Sequence, residues 1–149
     1  METKDVLKSI RDEAKLSQSQ FANQLNVTRQ AVSRWENGLA TPNTTTLKQI
    51  SIDFNISVNK LLGSPKPLIC QCCGMPLDND DVTISKELDG SYNELYCKWC
   101  YSDGEFIYKS LEQLVDFLVP HLSNMHKQDP KKIKEYVESY LPKLEMWKK

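Results

Sequence analysis

A chain of 149 residues, 40% hydrophobic and 26% charged, has an ordinary globular composition and the length for one average domain or two small ones. Its formal charge of −1 hides a modest asymmetry, because residues 1–63 hold eight Lys/Arg against six Asp/Glu and residues 64–149 eleven against fourteen. No stretch approaches the ~18 apolar residues of a membrane span, and five cysteines without a secretory signal argue against a disulfide framework and for metal or redox chemistry. "METKDVLKSIRDEAK" has no apolar signal core and "LEMWKK" no lipidation box, so a cytoplasmic protein is expected.

The pattern opens with short amphipathic helices. Leu7 and Ile10 share one face over roughly residues 3–14. Ser17 is an N-cap candidate, with Gln20 at the capping-box offset, for a helix carrying Phe21, Ala22 and Leu25. Asn26 and Val27 form a break, and Asn is among the few side chains that tolerate a left-handed backbone. Thr28 caps a third helix, "TRQAVSRWEN", which Gly38 ends. "TTTLKQISIDF" and "SVNKLL" supply two more, with Leu47, Ile50, Phe54, Val58, Leu61 and Leu62 completing a core.

At 100° per residue, Thr28, Ala31, Val32 and Trp35 fall on one side of the third helix. Arg29, Gln30, Ser33, Arg34 and Asn37 fall on the other, a set of hydrogen-bonding side chains with no acid among them. Arg can grip guanine O6/N7 in a fork and Gln can do the same with adenine N6/N7. A lone helix with such a face is most simply a solvated surface; the preceding helix and turn, at helix-turn-helix spacing, reverse that judgement.

"LSQSQFANQLNVTRQAVSRWENG", followed by Pro42 and "ISVNKLLG", resembles the phage-repressor-like (Cro/CI, XRE-type) helix-turn-helix family over residues 4–63. The resemblance implies a five-helix DNA-binding domain, with Ala22 at the position of close helix packing and Val32 and Trp35 buried. It implies that Gln18 and Asn37 hold phosphates while Arg29, Gln30, Ser33 and Arg34 read bases, with Thr28 at the start of the reading helix. Asn26 departs from the family's usual turn glycine.

"GSPKP", Gly63 to Pro67, cannot continue a helix and favours an extended connector. Two domains follow, 1–63 and 68–149, joined by a linker over 64–67. Beyond it, Cys70 and Cys73 form one C-x₂-C and Cys97 and Cys100 another, with 23 residues between. Two such knuckles can place four thiolates around Zn²⁺ at ~2.3 Å, leaving no open position. Gly74 suits the tight turn. The segments 68–77 and 92–100 are expected to form two small hairpins. A domain this small gains from a metal crosslink. Cys72 is the odd thiol, either a solvent-facing spare or a redox trigger. His121 and His126 lack ligand spacing and read as ordinary surface or packing residues.

"CQCCGMPL", then "YCKWCYSDGEF", then a helix ending "FLVPHL", resembles a bacterial zinc-ribbon domain over about 69–149, departing at Cys72. The resemblance implies zinc binding and no defined activity. Next, "SLEQLVDFLVPHL" places Leu111, Leu114, Val115, Leu118 and Leu122 on one face, with Pro120 expected to bend or end it. Asp129 and Pro130 cap "KKIKEYVESYLPKLEMW". Its Tyr136, Tyr140, Leu144 and Trp147 either cover the ribbon or form a dimer seam. Lys131, Lys132 and Lys134 form a solvated face.

The fold expected is mainly α: a five-helix repressor-like domain, then a small zinc ribbon of short β-hairpins with C-terminal helices. The function expected is a sequence-specific regulator of transcription that binds double-stranded DNA as a homodimer, with a structural zinc site and no membrane segment. The alternative is an antitoxin-like or adaptor protein whose ribbon binds a protein partner. An enzyme is not expected, since deaminase, Ser/His/Asp and phosphate-loop motifs are absent.

Overall fold

The computed structural model describes residues 1–63, 67–78 and 80–149. Of the expected connector over 64–67, only Pro67 falls within them. The described residues form eight α-helices, four short strands and one 3-10 turn, around two separate apolar cores.

The first core is built by five helices whose starts are written locally. α1 (Thr3–Glu13) begins at Glu2, whose backbone N–H donates to Asp5 at 3.1 Å, and buries Val6, Leu7 and Ile10. α2 (Gln18–Gln24) begins with a reciprocal box: Gln20 N–H donates to the Ser17 hydroxyl at 3.1 Å and Ser17 N–H to the Gln20 side chain at 2.8 Å. Each bond satisfies a backbone donor the helix itself cannot use. Asn26 then takes φ +54°, as the break required. α3 (Arg29–Glu36) starts where Thr28 Oγ1 accepts from Ala31 N–H at 3.1 Å, and Gly38 follows its end at φ +71°.

α4 (Thr44–Phe54) is capped by Asn43 and ends at Asn55, which is left-handed at φ +50°. α5 (Val58–Leu61) is capped by Ser57. Phe21, Leu7, Val32, Ile50 and Leu61 are fully enclosed. Leu62, expected in this core, is instead 53% exposed: α5 stops at Leu61, and the next position turns outward. Ile56, in the α4–α5 turn, is buried instead. At Gly63 the backbone closes on the chain's start. With φ +74°, a Cβ there would stand 2.5 Å from the Met1 carbonyl oxygen and 2.7 Å from Thr3 N, so only glycine fits.

The second core is headed by α6 (Asp80–Thr83) and β1 (Ile84–Lys86), which pairs antiparallel with β2 (Tyr92–Cys97) across an irregularity between Ile84 and Ser85. β3 (Tyr101–Ser102) pairs antiparallel with β4 (Glu105–Phe106). The two hairpins expected over 68–77 and 92–100 are therefore redistributed. Residues 68–77 make a knuckle with a single bridge, Ile69 to Pro76, because the turn through Cys70–Met75 uses up the residues a ladder would need. The second knuckle, 97–100, links two hairpins instead of forming the tip of one.

α7 (Leu111–His126) runs through Pro120 without ending there. Proline removes the donor to the Asp116 carbonyl, but both residues lie on the exposed side, where water can take that acceptor. Leu114, Val115 and Leu118 hold the opposite side in the core. α8 (Pro130–Tyr140) is capped by Asp129, which accepts from Lys131 N–H at 2.9 Å. It stops well short of Trp147, since Pro142 sits in the 3-10 turn Leu141–Lys143. Lys131, Lys132 and Lys134 are exposed as expected.

Candidate DNA-reading surface and metal centre

Val32 and Trp35 anchor α3 in the core, at 0% and 7% exposure. That anchoring turns Arg29, Gln30 and Arg34 to solvent, with Thr28 and Asn37 exposed at the ends and Ser33 half-buried. The acid of this helix, Glu36, is drawn inward. Its carboxylate accepts from Arg11 Nε at 2.6 Å, Arg11 Nη2 at 3.1 Å and Gln18 Nε2 at 2.9 Å, and its side chain is 6% exposed. Burial pushes the Glu36 carboxyl upward, but the hydrogen bonds from Arg11 and Gln18 outweigh it and hold the group below its ordinary value. The same bond to Glu36 holds the Arg11 guanidinium above its own. The outer face of α3 is left with Arg29 and Arg34 as its charges.

Several residues of the expected set are already engaged within the fold, Thr28 among them through its cap on Ala31 N–H. Gln18 bonds Glu36 as described, and Asn37 Nδ2 donates to the Ser33 carbonyl at 2.8 Å. The Arg11–Glu36 pair was missed by sequence reasoning. Its one signal was a glutamate at the edge of an otherwise acid-free helix face.

In the second half, the sulfurs of Cys70, Cys73, Cys97 and Cys100 lie within 4.8 Å of one another, and all four residues are buried. Cys73 and Cys97 are 3.9 Å apart, sulfur to sulfur. A zinc ion with ~2.3 Å bonds in a tetrahedron requires sulfurs about 3.8 Å apart, so the donor set fits that metal in number, type and spacing. The backbone shapes each knuckle: Gly74 N–H donates to the Cys70 carbonyl at 2.8 Å and Cys100 N–H to that of Cys97 at 3.0 Å. Cys97 N–H also points at Cys70 Sγ, 3.3 Å away, a contact that favours thiolate.

Cys72 is not solvent-facing. It is 0% exposed, and its carbonyl accepts from Trp147 Nε1 at 2.8 Å. The Tyr140 hydroxyl donates to the Cys73 carbonyl at 3.0 Å, and burial pushes that phenol up to about 12, so it stays a donor. Tyr140, Leu144 and Trp147 therefore cover the ribbon, while Tyr136 stands 63% exposed. His121 and His126 are exposed and apart from the thiols, with His121 stacked on Phe117 at 5.4 Å.

Residues 69–148, more than half of the chain, match the model of a family described as "Putative zinc ribbon domain". The chain belongs to that zinc-ribbon family. Zinc is accordingly the cofactor that its four clustered cysteines are positioned to hold. Residues 7–61 match a helix-turn-helix family model, in agreement with the repressor-like resemblance and the five-helix fold. Over 62 residues the zinc-ribbon protein is 42% identical to the HTH-type transcriptional activator BcrR of Enterococcus faecalis, covering 42% of this chain and 30% of that relative. The chain thus spans under a third of the relative's length. No helix among the described residues is long and apolar enough to cross a membrane.

Proposed function

We propose that the chain is a sequence-specific DNA-binding regulator of transcription, made of a reading domain over 1–63 and a zinc-stabilised accessory domain over 68–149. The observation that carries this reading is the division of α3. Arg29, Gln30 and Arg34 face outward, while Glu36, which would repel phosphate, is neutralised inside by Arg11. The name of the 42%-identical relative, a transcriptional activator, supports the same function.

In this mechanism α3 enters the major groove. Arg29, Gln30, Ser33 and Arg34 meet base edges, and Gln18 and Asn37, after giving up their internal bonds, meet phosphates. Zinc supplies a crosslink between the two knuckles and no chemistry beyond it. Zinc held by Cys70, Cys73, Cys97 and Cys100 would have no vacancy for water, which supports a non-enzymatic role. One small reading domain contacts too few base pairs to find a site in a genome. We therefore propose a homodimer on a pseudo-palindromic site, with half-sites about 34 Å apart. Tyr136 on α8, exposed where Tyr140 and Trp147 are not, is the better remaining candidate for its seam.

Selection of a binding site from random duplexes tests the function. Arg34→Ala should then cost ~1–3 kcal/mol on the selected site and relax the preference at one position. Equal loss on selected and scrambled duplexes would contradict base reading by Arg34. Analytical ultracentrifugation of the full chain tests the dimer, and a monomer at tens of micromolar would end that part of the proposal.

A further inference from the structure

The β1–β2 hairpin touches both halves of the molecule. At one end it meets the α4–α5 corner. Lys86 Nζ donates to Asn55 Oδ1 at 2.9 Å, and the Tyr92 hydroxyl lies 3.1 Å from the Asn55 carbonyl oxygen and within reach of Asp81. Glu94 accepts from the backbone N–H of Asn59 at 2.8 Å. Asn55 is the left-handed residue that ends α4, so Lys86 and Tyr92 occupy the acceptor-rich end of that helix, where a cation is favoured. Glu94 takes a backbone donor from the first turn of α5. A further ion pair, Lys48 to Asp89 at 2.7 Å, joins α4 to the hairpin loop, but both side chains are about half exposed and the pair adds little.

At its other end the same hairpin is held by the metal centre. β2 terminates in the ligand Cys97, and Ile84 of β1 stands opposite it. Gln71, inside the first knuckle, donates its N–H to the Leu95 carbonyl at 2.7 Å. The zinc site therefore fixes the strand that carries Tyr92 and Glu94. Beside this contact the junction is open: a cleft of about 530 Å³ lies between Ile10, Phe54 and Ile56 of the helices and Asp78 and Asp81 of the ribbon. Among the described residues the halves meet through these polar bonds beside an open cleft, and interfaces of that kind release readily.

We propose that the β1–β2 hairpin is a metal-dependent clamp: zinc holds it in register, and in that register Lys86, Tyr92 and Glu94 fasten the α4–α5 corner of the DNA-reading half. This rests on the reading of the four cysteines as a zinc site. When the metal leaves, the knuckles loosen, β2 loses its fixed end, and the corner loses its three fastenings. The reading half is then freed from the ribbon while its own core, including α3, persists.

Amide hydrogen exchange on the full chain tests the clamp, with zinc content followed in parallel by native mass spectrometry. Removing zinc with a chelator should speed exchange of the Asn59 amide and its neighbours over 48–61 by about tenfold, while the amide of Val32 is unchanged. In a Lys86→Met/Tyr92→Phe/Glu94→Ala variant, zinc should still be retained, and exchange over 48–61 should already be fast and indifferent to the chelator. Exchange over 48–61 that ignores zinc removal in the unaltered chain would overturn the clamp. So would a variant whose 48–61 segment still responds fully. A purified chain that takes up no zinc overturns the metal reading, and the clamp with it.

Discussion

Trp147 donates its indole N–H to the carbonyl oxygen of Cys72 at 2.8 Å, so the far end of the chain closes over the first zinc knuckle. Tyr140 does the same for Cys73 at 3.0 Å. Both carbonyls lie in a tight turn that has no strand partner for them, and the two aromatic donors take that place. Trp147→Phe keeps most of the ring and loses the bond, and should cost about 1 kcal/mol. Trp147→Ala also empties the packed site and should cost roughly 3 kcal/mol. Urea unfolding of the zinc-loaded protein, followed through the ribbon, reads both. A tryptophan that acts only as a surface residue would leave both values near zero.

Gly74 gives a sharper test of the same contact. Its φ is +80°, and a Cβ there would stand 2.8 Å from Cε2 of Tyr140. Gly74→Ala therefore combines an unfavourable backbone with a clash, and a loss of roughly 1–3 kcal/mol is expected. Tyr140→Ala should cost less in the Gly74→Ala background than on its own, by the steric part of the clash. The measurement is thermal unfolding of the single and double variants.

Zinc stoichiometry follows from the thiol geometry. One Zn²⁺ per chain is expected, and Cys97→Ser should lose it, because three thiolates cannot close the tetrahedron. Cys72→Ser should keep the metal while lowering stability, since a hydroxyl replaces a thiol in a fully buried position. Native mass spectrometry decides. Retained zinc in Cys97→Ser, or lost zinc in Cys72→Ser, would sink the assignment of ligands.

The Arg11–Glu36 pair ties α1 to α3, and its pH dependence has a definite sign. The hydrogen bonds from Arg11 and Gln18 leave the Glu36 carboxyl below its ordinary value in the folded chain. Its contribution is therefore present above the unfolded value of ~4.3 and fades as pH falls through the folded one. Neutral conditions leave it intact. Arg11→Ala strands a carboxylate at 6% exposure and should cost about 3 kcal/mol near pH 7, a penalty that shrinks towards pH 3 as Glu36 protonates. A penalty that stays flat with pH would mean the lost packing of Arg11 matters and its charge does not.

Gln18→Ala separates positioning from reading. Gln18 spans from the start of α2 to Glu36 on α3, and in the proposed role of phosphate contact it would carry no base information. Its loss should weaken binding alike on selected and scrambled duplexes. Fluorescence titrations on the two duplexes check it, and a loss confined to the selected site would contradict the assignment.

Local chemistry made much of this fold legible in the sequence. Ser17, Thr28 and Asp129 cap helices by bonds spanning two or three residues, and Asn26 turns the chain by its own backbone. The knuckle cysteines were likewise fixed by spacing. What stayed hidden depends on partners far along the chain. Cys72 looks exposed until Trp147 and α8 fold over it, and Glu36 looks like a surface acid until Arg11 arrives from α1. Pro120 does not end α7, and the Asp116 carbonyl that it leaves without a helical donor lies on the exposed side, where water can serve it.

The close approach of Gly63 to the backbone of Met1–Thr3 makes the helical half a loop that shuts where it opened. Such a unit is a portable cassette: joining residues 1 and 63 through a short bridge and opening the chain in a surface turn should leave its core intact. The geometry also restricts fusions. A tag placed ahead of Met1 emerges beside the point from which the chain departs for the ribbon, and the two strands must share one doorway.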